Sequence, residues 1–344
     1  MRACHTVAPA ERLRPPRTGE PAVTSRAVPR RTLRRIVSLA TRAPSVHNTQ
    51  PWRWHAAGST LELFADHSRQ LPVSDPAGRN LVLSCGAVLH HVQVVADALG
   101  WPATVDRLPD PGRPDLLARL TLRPGAPSTR APQLLDAVQQ RCTDRRRFTS
   151  WPVPDERLAG LATLVRTGGV RALPLTEVTE RFRAERLIER ANELQDPKAL
   201  REQEVWVDHG TGDGVPASVL PVGPGAGRRP SRFTSGLLDD KGGREVEGSD
   251  GLVVICAGED EPGTWLSAGE GLSALWLAAT TDGLSLVPLS HVVEIPVTRE
   301  AFRIDVLGGL AHPLLVVRLG WQAISRSQIP PTPRRPVDEV LRID

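Results

Sequence analysis

The chain is 344 residues long, 40% hydrophobic and 24% charged, the balance of an ordinary globular protein with room for one large domain or two medium ones. A pI near 9.3 invites a nucleic-acid reading, but residues 1–35 hold nine Arg and two Glu, a net of +7, and leave the rest of the chain at −3, too balanced for a basic binding face. Only two of the 43 basic residues are lysine, Lys198 and Lys241, so any anion held by a side-chain cation is held by the planar fork of Arg.

In chain order, residues 1–27 form an aperiodic tail rich in Arg and Pro, which reads as disordered. No stretch reaches the length of a membrane span and no apolar core of signal-peptide type follows the N-terminus, so a cytoplasmic protein is expected. From residue 28, RRTLRRIVSLATRA places Leu33, Ile36, Val37, Leu39 and Ala40 on one helical face. Pro44 ends that helix. LELFA at 61–65 alternates as a strand. NLVLSCGAVLHHVQVVADALGW, ending at Trp101, is a helix apolar enough to be buried on most sides. LLARLTL at 116–122 reads as a strand, and RPGAPSTRAP after it as a linker.

A helix PQLLDAVQQR opens the second part, followed by RCTDRRRF, a helix near 155–166 and a long helical stretch near 176–206. Residues 207–250 are rich in Gly and Pro, a length inside a compact domain that reads as a lid or a disordered segment. GLVVICAG is a buried-type strand, WLSAGEGLSALWLAATTDGL a second long helix, SLVPLS its exit, then a helix near 298–307, a strand PLLVVRLG and a C-terminal PPTPRRPVDEVLRID. The two long apolar helices share small residues in their first halves and a glycine turn at their ends. They read either as a diverged internal repeat or as two independent core helices.

Cys4, Cys85, Cys142 and Cys256 are scattered without the spacing of a disulfide framework or a zinc site. His90 and His91 are adjacent, about 100° apart on a helix, and cannot chelate one metal together. No metal is expected.

PSVHNTQPW at 44–52 resembles the P-S-x-x-N-x-Q-P-W motif of the nitroreductase family, through Pro44, Ser45, Asn48, Gln50, Pro51 and Trp52. RCTDR resembles the family's R-x-[ST]-x-[RK] motif through Arg141, Thr143 and Arg145. AGEGLSALWLAATTDGLSLVPLS looks like its central helix and the Pro-containing turn beyond, and PTPRRPVDEVL like its basic C-terminal segment. The order departs from the ordinary family, in which the Arg motif precedes P-S-x-x-N in one chain and a homodimer builds the FMN site from both subunits. Here P-S-x-x-N falls in the first part and the Arg motif opens the second. The resemblance is therefore to the tandem, Acg-type branch of actinobacteria, and it implies a mixed α/β (α+β) nitroreductase fold as a fused pseudo-dimer. Its two long helices would lie at the centre, with a lid-like insertion at about 207–250. The repeats would span 28–125 and 130–344, with one flavin site between them and the symmetry-related site empty.

FMN presents a dianionic phosphate, a flat apolar ring and a pyrimidine edge of alternating donors and acceptors. The resemblance assigns Arg141, Arg334 and Arg335, with Arg318 weaker, to the phosphate and ribityl chain, where guanidinium forks match. It gives Thr143 a phosphate hydroxyl contact and Arg145 the N1/O2 edge, where reduction places negative charge. Asn48 offers donor and acceptor to the pyrimidine edge. Pro44, Ser45 and Val46 line ring and ribityl chain, the backbone of Pro288, Leu289 and Ser290 faces N5, and Gln50 with Trp52 shapes the fold behind. On the residues alone, Asn48 reads as a turn residue and RCTDRRRF as a solvated charged helix end. No acid–base catalyst is assigned, since hydride transfer is the cofactor's chemistry.

Two functions follow. One is an oxidoreductase passing hydride from NAD(P)H through FMN to a nitro, quinone or related small-molecule acceptor. The other is an FMN storage or sequestering protein whose lid keeps nicotinamide off the ring. Neither involves nucleic acid or membrane, and the chain is expected as a monomer with an internal pseudo-dimer or as a homodimer.

Overall fold

In a computed structural model, the described residues are 27–194, 196–209, 212–220, 246–323 and 329–344. The N-terminal tail and most of the expected lid, 221–245, lie outside them.

The first half contains α1 (Arg30–Ala40), β1 (Trp52–Ala57), β2 (Thr60–Ala65), α2 (Arg79–Ala98), β3 (Ala103–Arg107) and β4 (Leu116–Leu122). The second runs through α3 (Ala131–Gln140), α4 (Asp155–Ala162), β5 (Arg166–Thr167), β6 (Val170–Pro174), α5 (Val178–Glu193), α6 (Pro197–Val205), β7 (Gly251–Ala257), α7 (Pro262–Thr281) and β8 (Leu284–Leu289). It closes with α8 (His291–Glu294), α9 (Pro296–Asp305), β9 (His312–Trp321), α10 (Val337–Val340) and β10 (Leu341–Ile343). Leu33, Ile36, Val37 and Ala40 are the buried face of α1, as its periodicity requires. The expected helix at 176–206 is two, because Asp196 caps a new start through Lys198 N and Pro197 occupies its first turn. Likewise Pro296 divides the helical region near 298–307 from α8.

The strands form two sheets with orders β10-β1-β2-β4-β3 and β5-β6-β7-β9-β8. In the first sheet β1 and β2 precede the long helix and β3 and β4 follow it; in the second β5, β6 and β7 precede it and β8 and β9 follow, and each sheet carries one register shift, at Leu63/Phe64 and at Ile255/Cys256. The C-terminal β10 crosses back to pair in parallel with β1, Trp54 opposite Leu341, so the chain's end completes the sheet of its beginning.

Helices α2 and α7 cross between the sheets at Gly86 and Gly269. A Cβ on Gly86 would stand 2.0 Å from the Leu266 carbonyl oxygen, and one on Gly269 would stand 1.9 Å from that of Leu83. Only glycine permits this backbone contact. The side chains of His90 and Ser273, 183 residues apart, also touch across the crossing. The same interval relates Gly86 to Gly269, and Gly100 to Gly283, the left-handed turns that end the two helices. Arg79–Ala98 is long and apolar enough to cross a membrane, yet most of it is buried here as a core helix.

Candidate functional site

The segment 45–50 is strained and tightly held. His47, Asn48 and Gln50 all adopt positive φ, at 45°, 56° and 49°, a cluster that non-glycine residues keep only when their surroundings enforce it. Val46 N donates to Ser84 Oγ at 3.2 Å, Asn48 N to the Ser45 carbonyl at 3.1 Å, and Gln50 N to Ser45 Oγ at 3.0 Å. Arg69 Nε donates to the Thr49 carbonyl. Ser45 is thus the internal brace of the turn, and α2 is its platform.

The amides are engaged by the protein. Asn48 Nδ2 donates to the carbonyls of Gly214 at 2.7 Å and Pro333 at 3.0 Å, and Asn48 Oδ1 accepts from Arg334 at 3.1 Å. One acceptor lone pair remains, so the donor–acceptor pair expected to face a pyrimidine edge is in this arrangement already spent. Gln50 Nε2 donates to the Gly212 carbonyl at 2.9 Å and its Oε1 accepts from Arg335 N at 2.9 Å. Trp52 and Trp54 are wholly buried behind the turn with indole N–H groups that lack a partner.

A cationic cluster adjoins this turn. Arg141, at the end of α3, and Arg334, in the C-terminal segment, both donate to the Arg42 carbonyl, at 3.0 and 3.1 Å. The guanidinium of Arg42 is turned to the last carbonyls of α3, Val138 at 3.4 Å and Gln139 at 2.7 Å. Arg141 lies over the Trp276 ring of α7, 4.5 Å from its centroid. Arg334 also reaches Thr332 and Pro333. None of the hydrogen bonds described for Arg141 and Arg334 goes to a carboxylate, and Arg141 Nε and Nη1 and Arg334 Nε are buried without a partner. Burial, with the charge of Arg42, pushes Arg141 down to about 10, and burial, with the charges of Arg141 and Arg42, pushes Arg334 down to about 9, so both stay charged at neutral pH. Buried N–H groups of uncompensated cations are costly unless an anion completes them.

The other expected residues divide. Arg335 is not part of this cluster: its guanidinium bonds the Gln50 carbonyl at 3.2 Å and faces Asp66 and Glu339, each at 3.6 Å. Arg318 is a correction. On β9, Leu315, Val317 and Leu319 face α7, so strand alternation turns Arg318 to the opposite face. There it lies over Phe148 at 4.4 Å and pairs with buried Asp250 at 3.4 Å. Thr143 and Arg145 are half-buried on the stretch after Arg141, and Arg145 gives its carbonyl to Arg318 at 3.4 Å. Pro44 is half-buried ahead of the strained turn. Pro288, Leu289 and Ser290 end β8 and enter α8, which α2 ties down by Arg79 to the Val293 carbonyl at 3.0 Å and Asn80 to Glu294 at 2.9 Å. The 45–50 turn and the 288–290 turn therefore both rest on the first turns of α2.

The segment at 212–220 covers part of this region. Asp213 pairs with Arg69 and, at 3.0 Å, with His209, while Val215, Val219 and Leu220 form a small core of their own with Val207 and Ile329. This cover falls within the insertion expected at about 207–250, whereas Arg42 was not legible from motifs. The main-chain carbonyl of Arg42 carries no sequence signal, and a histidine in an apolar helix, as His91 is, carries none for a ligand other than a metal.

The nitroreductase family profile matches residues 22–78. Rv3131 of Mycobacterium tuberculosis, an NAD(P)H nitroreductase by name, is 37% identical over 315 residues, 90% of this chain and 91% of that one. The chain belongs to the nitroreductase family. The acg product of the same organism, also named for NAD(P)H nitroreductase, is 33% identical over 316 residues, 90% of this chain and 95% of its own. A nitroreductase structure from Anabaena variabilis aligns with 85% of this chain and 88% of that one, at 10% identity and a TM-score of 0.47. Family membership accounts for the mixed α+β architecture, with two sheets about a pair of central helices.

Proposed function

We propose that the chain is an FMN-dependent oxidoreductase of the nitroreductase family, with one flavin site built between its two halves, taking hydride from NAD(P)H. The observation that carries this reading is the pair of buried, incompletely bonded guanidiniums, Arg141 and Arg334, converging on one carbonyl with no carboxylate among their described partners. An orphaned cationic pair of this kind fits a phosphate ester. Arg141 and Arg334 would hold the phosphate. The 45–50 backbone, fixed on Ser84, and the 288–290 turn would flank the ring, and Asn48 would act through Arg334 rather than on the ring edge. Bound there, FMN would supply two-electron hydride chemistry.

A single site per chain is supported by how the symmetry-equivalent place is filled. The interval of 183 residues sets Glu270 where Ala87 stands and Arg107 where Ser290 stands. Glu270 is buried and holds Arg107 through two bonds, 2.7 and 2.8 Å, and Gln93 through one of 2.8 Å. The strained turn also has no counterpart: residues 41–51 between α1 and β1 correspond to 163–169 between α4 and β6, where Gly168 lies against Ser267 as Val46 lies against Ser84. The halves, about 28–125 and 130–344, thus contribute unequally to one site.

The second reading, an FMN-sequestering protein with little turnover, is favoured by one observation. Gly212, Gly214 and the 333–335 segment bond directly to Gln50 and Asn48, covering the turn. The test is anaerobic addition of NADPH to the flavin-loaded protein, followed by its visible spectrum. Rapid bleaching supports the oxidoreductase. A flavin that ignores NADPH but is reduced by dithionite supports the covered binder, and failure to take up FMN overturns both. Asp213→Asn, which loosens the cover at Arg69, should quicken NADPH oxidation if the cover limits access.

A further inference from the structure

His91 lies on α2, wholly buried, and neither the motifs nor the proposed chemistry uses it. Its ring is oriented by two oxygens. Nδ1 is 3.0 Å from the Ala87 carbonyl, one helical turn back, and 2.9 Å from Ser273 Oγ of α7. A carbonyl oxygen only accepts, so Nδ1 carries the proton. Ser273 Oγ is also 2.7 Å from Nδ1 of His90. One assignment satisfies all three contacts: His91 Nδ1–H donates to Ala87 and Ser273, and the Ser273 hydroxyl donates to His90 Nδ1. Nε2 of His91 is then a bare lone pair, buried and without a partner.

Burial first, and then the charges around it, keep that lone pair unprotonated. Arg141 from the end of α3 and Arg334 from the C-terminal segment both oppose a positive charge on His91, as does His90 on its own helix. Burial acts in the same direction and holds His91 well below its ordinary value. The carboxylate of Glu270 on α7 acts on His90 and is itself paired with Arg107. Arg141 lies over Trp276, one turn along α7 from the Ser273 that holds His91, so a cation and a bare acceptor stand on the same stretch of the helix pair. A dianionic phosphate, which only accepts, satisfies the guanidiniums and leaves Nε2 unsatisfied. A hydroxyl on the chain bearing that phosphate satisfies it.

We propose that His91 is a ligand-binding residue whose neutral ring, protonated on Nδ1 and fixed by Ala87 and Ser273, accepts a hydrogen bond at Nε2 from a polyol hydroxyl of a bound phosphate ester. The inference rests on the flavin reading above, FMN being a phosphate ester on a ribityl chain. It makes the site selective for a hydroxylated chain as well as for an anion.

The experiment is nitrogen NMR of the full-length protein carrying 15N-labelled histidine, titrated with FMN, riboflavin and inorganic phosphate, with His91 assigned from the spectrum of His91→Leu. A bare Nε2 before addition, moving toward the hydrogen-bonded range with FMN and with riboflavin but not with inorganic phosphate, is the expected result. His91→Leu should weaken FMN about tenfold and leave inorganic phosphate binding unchanged, while His91→Gln, which restores an acceptor, should recover most of the loss. FMN saturation with no movement of Nε2, or a proton found on Nε2 at neutral pH, overturns this proposal alone. No uptake of FMN by the unaltered protein overturns the flavin reading and this proposal together.

Discussion

Replacing Arg141 by Met should stabilise the ligand-free protein while weakening FMN, two effects of opposite sign. The folded-state value of Arg141 is lowered from the ordinary guanidinium range to about 10, mainly by burial. A base depressed by folding is penalised while charged, so the penalty is fully present below pH 10 and fades only as the pH rises above it toward the ordinary guanidinium range. At neutral pH it amounts to about 3 kcal/mol, at 1.36 kcal/mol per pH unit. Met fills similar volume against Trp276 without the charge. It forfeits one hydrogen bond, of about 1 kcal/mol, and the stacking on Trp276, of about 1 kcal/mol. The Arg42 carbonyl is not orphaned, because Arg334 still donates to it. The net is a gain of about 1 kcal/mol, roughly 2 °C in the unfolding midpoint for a chain of this size. With FMN present, loss of a charge-assisted contact of about 1.5–3 kcal/mol should raise Kd about 10- to 100-fold. Thermal unfolding of the stripped protein and a flavin-fluorescence titration read the two halves of the prediction. A stripped variant less stable than the parent, or an unchanged Kd, refutes the description of Arg141 as a cation awaiting an anion.

Gly269→Ala sets a methyl group against the Leu83 carbonyl oxygen, which is backbone and cannot swing away; a loss of about 3 kcal/mol or more is expected in chemical denaturation. Gly160→Ala on α4, where nothing lies within 4 Å, should instead gain about 0.5–1 kcal/mol and serves as its control. Asp75 accepts from Leu81 N at the start of α2, and burial pushes its carboxyl up to about 6. An acid raised by folding binds its proton more tightly in the native state, so stability falls as the pH rises from about 4 to 6. Asp75→Asn should abolish about 2–3 kcal/mol of that dependence when the two proteins' stabilities are compared across pH 4–7. Arg107→Met leaves the buried Glu270 carboxylate with Gln93 alone; because Arg107 is about a third exposed, a cost of about 2 kcal/mol is expected, and flavin content per chain should not rise.

Hydrophobic period and proline placed much of the fold in advance. The 3.6-residue pattern located α1, α2 and α7, and LELFA and LLARLTL located β2 and β4. What stayed hidden were pairings that depend on distant partners. β10 is too short to read as a strand until β1 offers it an edge, and α5 and α6 read as one helix because their polar faces continue across Pro197. At the site, Arg141, Asn48 and Arg334 were legible from motifs and do meet. Arg318 misled because guanidinium chemistry says nothing about which face of a strand it occupies. Its position between Val317 and Leu319, both core residues on the α7 side, held the information needed to turn it outward.

On the proposed reading, fusion into one chain explains the unequal halves. In a symmetric dimer, a residue at the crossing of the central helices must serve its own site and its partner's at once. Here the pairs separated by 183 residues have diverged where they would face a ligand, Ala87 from Glu270 and Ser290 from Arg107, but not where they form the crossing, Gly86 with Gly269. Backbone contact tolerates no substitution on either helix, whereas an unused cradle gains from being filled with a paired charge. His90 and Ser273 show the same freedom at the axis itself. A symmetric pair there would place His against His or Ser against Ser; the unlike pair instead allows a hydroxyl to donate to His90 while accepting from His91. The Ala87 carbonyl sets the tautomer that leaves His91 Nε2 bare, and the unlike pair adds the Ser273 hydroxyl as a second acceptor that holds it.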